Sequence, residues 1–128
     1  MKDIKKYLGI DWGERRIGLA VGDNQSRVAT PFRTVAGLEE ILTLAQEEDI
    51  DILIVGRPVK MSGEDKKLNS EFLKFSEDLQ KKSICPVEFV DERLSSKAGD
   101  RLVGSKKTKA SRDEIAATII LQDYLDSV

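Results

Sequence analysis

Two segments rich in β-formers, Tyr7 to Trp12 and Arg16 to Asp23, are separated by Gly13, Glu14 and Arg15, a spacing that predicts a hairpin of antiparallel neighbours. Alternation in the second segment sends Ile17, Leu19 and Val21 to one face and Gly18, Ala20 and Gly22 to the other, which is left almost without side chains. In the first segment Asp11 shares a face with Tyr7 and Gly9, so a carboxylate is expected on a sheet surface cleared of bulk, where something approaches closely. A third extended stretch, Arg27 to Val35, carries Pro31 and is expected at a sheet edge, because proline cannot donate to a ladder on both sides.

The period then changes. Leu38, Ile41, Leu42 and Ala45 recur at helical spacing with acids between them, and Leu68, Phe72, Phe75 and Leu79 do so again further on. Between these helices the unbroken apolar run Ile52, Leu53, Ile54, Val55 predicts a parallel strand buried on both faces, ended by Gly56, Arg57 and Pro58. A second buried strand is expected around Val87, Phe89 and Val90 after Pro86, closed by Asp91, Glu92 and Arg93. Leu94 to Val103 reads as a short helix capped by Ser95 or Ser96, and Gly104 to Lys109 as a basic loop. Ser111 and Glu114 form a capping box for a last helix whose apolar body is Ile115, Ala116, Ile119, Ile120 and Leu121. Three meandering strands followed by alternating helices and strands make an α/β chain with a mixed five-stranded sheet, antiparallel at first and parallel after, flanked by helices. That order resembles the ribonuclease H fold.

Composition narrows the chemistry. A length of 128 residues fits one domain, expected to span residues 1–128, and 40% hydrophobic residues suffice for a core without metal or disulfide support. Histidine is absent, which removes His metal ligands, Ser-His-Asp triads and Cys-His pairs together. The single Cys85 can form no internal disulfide, and its apolar setting predicts a buried structural thiol in a reducing compartment. No apolar run approaches the roughly 20 residues that span a bilayer, and the charged N-terminus has no signal-peptide core, so a cytoplasmic protein without membrane contact is expected. The net charge of −2 gives no global attraction to nucleic acid, so such binding needs a local basic patch.

Three carboxylates stand where folding can gather them: Asp11 on the first strand, Asp91 or Glu92 at a strand end, and Asp113 in the first turn of the last helix. Gathered acids repel one another and either share protons or hold a cation, and an all-oxygen set suits Mg2+ or Mn2+. Such a metal activates water and neutralises a phosphodiester under attack. The plainer reading of Asp113 is a helix cap favoured by the helix dipole, whereas a charge inside a strand, as at Asp11, calls for a specific reason. Trp12, next to Asp11, points to the opposite face by alternation and is expected in the core rather than stacked on a base.

Gly9-Ile10-Asp11-Trp12-Gly13-Glu14-Arg15-Arg16-Ile17-Gly18-Leu19-Ala20, then Asp91-Glu92-Arg93-Leu94-Ser95, then Asp113-Glu114-Ile115-Ala116-Ala117 through Ile120-Leu121-Gln122-Asp123-Tyr124-Leu125 resemble the YqgF (RuvX) family in order and spacing over nearly the whole chain. Members are described as ribonuclease H-like nucleases, formerly called Holliday junction resolvases and now assigned to maturation of the 5′ end of pre-16S rRNA. The resemblance implies a metal-dependent nuclease that hydrolyses phosphodiester bonds, with Asp11, Glu92 and Asp113 as catalytic metal ligands. Many ribonuclease H relatives place a carboxylate where this chain reads Gly56-Arg57-Pro58, so Glu92 on the next strand substitutes for it.

The positive residues have two readings each. Arg15 and Arg16 touch a phosphate or simply decorate a solvated turn, and Arg57 and Arg93, beside strand ends, contact phosphate or pair with Asp91. Arg101, Lys106, Lys107, Lys109 and Arg112 form an acid-free run next to Asp113, the local patch that overall charge denies. The expected nucleic-acid contacts are therefore Arg15, Arg57, Arg93, Lys106, Lys107, Lys109 and Arg112, the partner being pre-rRNA, a pre-ribosomal particle or structured DNA. The alternatives are a non-catalytic nucleic-acid-binding or ribosome-assembly module, and a resolvase acting on DNA junctions. Asp11-Trp12-Gly13 also resembles the phosphate-binding hairpin of the actin and sugar-kinase fold, against which the length of the chain argues.

Overall fold

A computed structural model describes residues 4–57, 66–91 and 112–128. Strands β1 (Lys6–Asp11), β2 (Ile17–Asp23) and β3 (Thr30–Val35) are followed by helix α1 (Leu38–Glu47), strand β4 (Ile52–Arg57), helix α2 (Lys66–Lys82), strand β5 (Val87–Asp91) and helix α3 (Arg112–Ser127). The strands form one sheet in the order β3-β2-β1-β4-β5. β1 pairs antiparallel with β2, as does β2 with β3, whereas β1 with β4 and β4 with β5 are parallel. The α/β, ribonuclease H-like sheet expected from the change of period is therefore the one observed.

The two halves of the sheet follow from how each strand is reached. A short turn can only return the chain antiparallel, so the hairpin strands β1, β2 and β3 meander, while β4 and β5 are each reached through a helix that carries the chain back to the starting edge. β3 starts at Thr30, later than the expected Arg27, because Arg27 adopts a left-handed φ of 57° in the preceding turn. Pro31 lies on an edge strand, and the β2–β3 register shifts between Leu19 and Ala20, a bulge beside the residue that lacks an N–H.

Alternation divides the core into two layers. Leu8, Ile10, Ile17, Leu19, Leu53 and Val55 face α1 and α2, packing with Ile41, Leu44, Phe72, Phe75 and Leu79. Tyr7, Ala20 and Ile54 face α3 and meet Ala117, Ile120, Leu121 and Leu125. Trp12 joins the first layer as expected, its ring edge-on to Phe72 at 5.8 Å between centroids. Cys85 is only partly buried rather than enclosed, because it lies in the turn before β5. Its thiol donates to the Ile50 carbonyl at 3.0 Å, and burial, with a smaller contribution from Asp51, raises its pKa.

Candidate active site at the start of the last helix

The glycines of the hairpin explain where α3 lies. A methyl group on Gly18 would stand 1.9 Å from the backbone oxygen of Asp113, and one on Gly9 would stand 2.8 Å from Leu121 Cβ and 3.0 Å from the Ala117 carbonyl. On Gly22 it would meet Leu125 at 3.1 Å. Asp113, Ala117, Leu121 and Leu125 recur every fourth residue, one face of a helix, so α3 lays a single stripe along the bare surface of β1 and β2. The surface expected to admit something closely is occupied by the protein's own helix, and the stripe begins with a carboxylate.

Gly18 is the register partner of Asp11 on one side and of Thr34 on the other. Directly opposed residues in antiparallel strands project to the same face, so Asp11, Gly18 and Thr34 form a row across the sheet beneath the first turn of α3. Two contacts fix that turn. Thr34 Oγ1 donates to Glu114 Oε2 at 2.9 Å, and Arg16 Nε lies 3.5 Å from Asp113 Oδ2. Asp113 and Glu114 are the acids of the first turn, where the positive end of the helix dipole favours them. The Asp113 side chain is 31% exposed and that of Arg16 is 72% exposed, so the pair is open to water and contributes at most about 1 kcal/mol.

Further along α3, Thr118 Oγ1 donates to the Glu114 carbonyl at 2.7 Å. Gln122 clamps the β2–β3 turn, accepting from Ala29 N at 2.9 Å and donating to the Arg27 carbonyl at 3.0 Å. Tyr124 donates to Glu88 Oε2 at 2.9 Å, and burial followed by that bond pushes its phenol up to about 12. These contacts tie the helix to both ends of the sheet and leave its N-terminus above Asp11.

Asp11 and Asp113 are therefore brought together on one half-exposed face at the end of β1. Arg57 is exposed at the end of β4, in register with Asp91 of β5, so the C-terminal ends of the three parallel strands share this edge. Arg15, in the β1–β2 turn, and Arg112, opening α3, are exposed near the same pair. Glu92, Arg93, Lys106, Lys107 and Lys109 lie outside the described residues, as do Ser95, the expected cap Ser111, the expected helix Leu94 to Val103 and the expected basic loop Gly104 to Lys109. Among the described residues no group of three candidate ligands gathers. The two carboxylates that do meet offer oxygen donors alone, which fits a hard divalent cation. The reading of the sequence missed the anchoring roles of Arg16 and Thr34. The first was visible only as a charge in a turn, and the second only as a threonine on an edge strand.

Comparison with known proteins gives a consistent picture. The family model described as RuvX, Holliday junction resolvase, matches residues 5–127. A protein of Chloroflexus aurantiacus named "Putative pre-16S rRNA nuclease" is 40% identical over 131 residues, covering 94% of this chain and 86% of the relative. One of the same name from Phocaeicola vulgatus is 38% identical over 135 residues, covering 97% of each. Among solved structures, Thermus thermophilus RuvC in complex with a Holliday junction substrate superposes with a TM-score of 0.68 at 14% identity, over 96% of this chain and 94% of that one. At that identity the likeness speaks for the fold.

Proposed function

The chain belongs to the RuvX family, and from that premise we propose that it is a metal-dependent nuclease acting on the 5′ end of pre-16S rRNA. The observation that supports the reading is the row Asp11, Gly18, Thr34 beneath the first turn of α3, with Asp113 standing over Gly18, the register partner of Asp11. Asp11 and Asp113, joined by Glu92 from just beyond β5, would hold Mg2+ or Mn2+. When bound, the metal supplies an activated water and charge neutralisation at the phosphodiester. The protein's own part is to hold the oxygens of Asp11 on a strand and those of Asp113 on a helix rather than on loops.

With no histidine in the chain, no imidazole serves as general base. Arg15, Arg57 and Arg112 at the described edge, together with Arg93, Lys106, Lys107 and Lys109, supply phosphate contacts that align the backbone without reading sequence. Binding should therefore weaken steeply with salt. Among the described residues no helix is long and apolar enough to cross a membrane. A cytoplasmic enzyme working as one ribonuclease H-like domain over 1–128 fits a precursor-rRNA substrate.

The test is cleavage of end-labelled precursor rRNA, single-stranded RNA and a four-way DNA junction with Mg2+ or Mn2+ by the wild type and Asp11→Asn. The variant keeps the shape of the side chain and removes its charge, so cleavage should fall by about 10³-fold, equivalent to about 4 kcal/mol of barrier, with unchanged thermal stability. Equal cleavage by a folded variant would overturn the reading. A preference for the junction would move the substrate from RNA to DNA, and binding without turnover would favour an assembly module.

A further inference from the structure

The Arg16–Asp113 pair is oddly placed for a stabilising salt bridge. It is open to solvent, and its approach, Arg16 Nε to Asp113 Oδ2, is a long 3.5 Å. Its carboxylate, however, is the one that begins the α3 stripe over Gly18, beside Asp11. Neighbouring carboxylates repel, and among the described residues Arg16 supplies the ion pair at Asp113. Arg16 also comes from a constrained point of the chain, since a methyl on Gly13 would lie 2.5 Å from the Arg16 carbonyl oxygen. The turn is therefore folded tightly back on itself just where the guanidinium leaves it.

We propose that Arg16 is a positioning residue that stands in for the cation, holding Asp113 in place beside Asp11 in the metal-free protein and giving up the carboxylate when a divalent ion binds. The proposal rests on the reading of Asp113 as a metal ligand. The weakness of the pair is what the role requires, since a long, water-exposed contact orients the side chain without trapping it. Once the ion is bound, the guanidinium becomes a like charge beside it. Arg16 thus keeps the empty site in order and lowers the affinity of the loaded one.

Manganese titration of the full chain, followed by calorimetry and by the fluorescence of Trp12, the single tryptophan, tests this without any cleavage assay. Arg16→Gln should tighten the Kd by about three- to tenfold, the screened effect of removing one positive charge a few ångströms from a divalent ion. Arg16→Lys keeps the charge and should stay within about twofold of the wild type. In an Asp113→Asn background, Arg16→Gln should change the Kd by less than about twofold, because no carboxylate then holds the exposed guanidinium beside the site. Unchanged or weaker binding by a folded Arg16→Gln protein, in a series where Asp113→Asn does weaken binding, overturns the role of Arg16 alone. If Asp113→Asn binds manganese as the wild type does, the assignment of Asp113 as ligand fails, and the role of Arg16 falls with it.

Discussion

On one face of the β1–β2 hairpin, Leu8, Ile10, Ile17 and Leu19 are at most 3% exposed and meet α1 and α2 through large side chains. On the other, Gly9, Gly18 and Gly22 leave α3 almost against the strand backbone. Both faces come from alternate residues of the same two strands. The first holds the helices off at the width of its side chains and tolerates local repacking. The second has no slack, and this brings the start of α3, with Asp113, down onto Gly18 beside the Asp11 end of β1. The larger share of the apolar core lies on the thick face, and the geometry of the site on the thin one.

Substitutions can break that contrast at either face. The largest effect is expected at Gly18→Ala, whose methyl would have to displace the Asp113 backbone. Stability should drop by about 4 kcal/mol in urea unfolding, above the usual range for overpacking because the obstacle is main chain. A loss below about 1 kcal/mol would mean that α3 shifts freely and that the thin face is not a constraint. Leu8→Ala removes a fully buried side chain from the opposite face and should cost about 3 kcal/mol. Its folded fraction should bind manganese with the wild-type Kd, and altered affinity there would show that the faces are coupled. Thr34→Val sharpens the comparison at the smallest scale. It deletes the hydrogen bond to Glu114 and should cost about 1 kcal/mol, while weakening manganese binding about twofold as the start of α3 loosens.

The residues of the thin face were legible in part. Alternation placed Asp11, Gly9, Gly18, Ala20 and Gly22 correctly and announced a close approach, since a run of small residues on one face of a strand has meaning only if something fills the space. It did not say what fills it. The four-residue recurrence of Asp113, Ala117, Leu121 and Leu125 was present in the sequence, but a helix whose Thr118, Ile119 and Ile120 are also buried offers several stripes, and nothing local selects one. The left-handed turn at Arg27 has no glycine to mark it, so the residue pattern extends the third strand back over it. Cys85 was expected deeper than it lies, since apolar neighbours in the chain do not guarantee neighbours in space.

Local periodicity, carried by the spacing of side chains along a few turns or a few strand residues, determined by itself the kind and order of the described elements, the two faces of the hairpin strands and the place of a carboxylate on the bare face at the end of β1. Only the tertiary structure decided that α3 lies on Gly18, that Thr34 reaches Glu114 across 80 residues of chain, and that Arg16 meets Asp113. Those contacts depend on the distance at which a helix can settle on a sheet. That distance is set jointly by side chains far apart in sequence, where no local pattern carries the information.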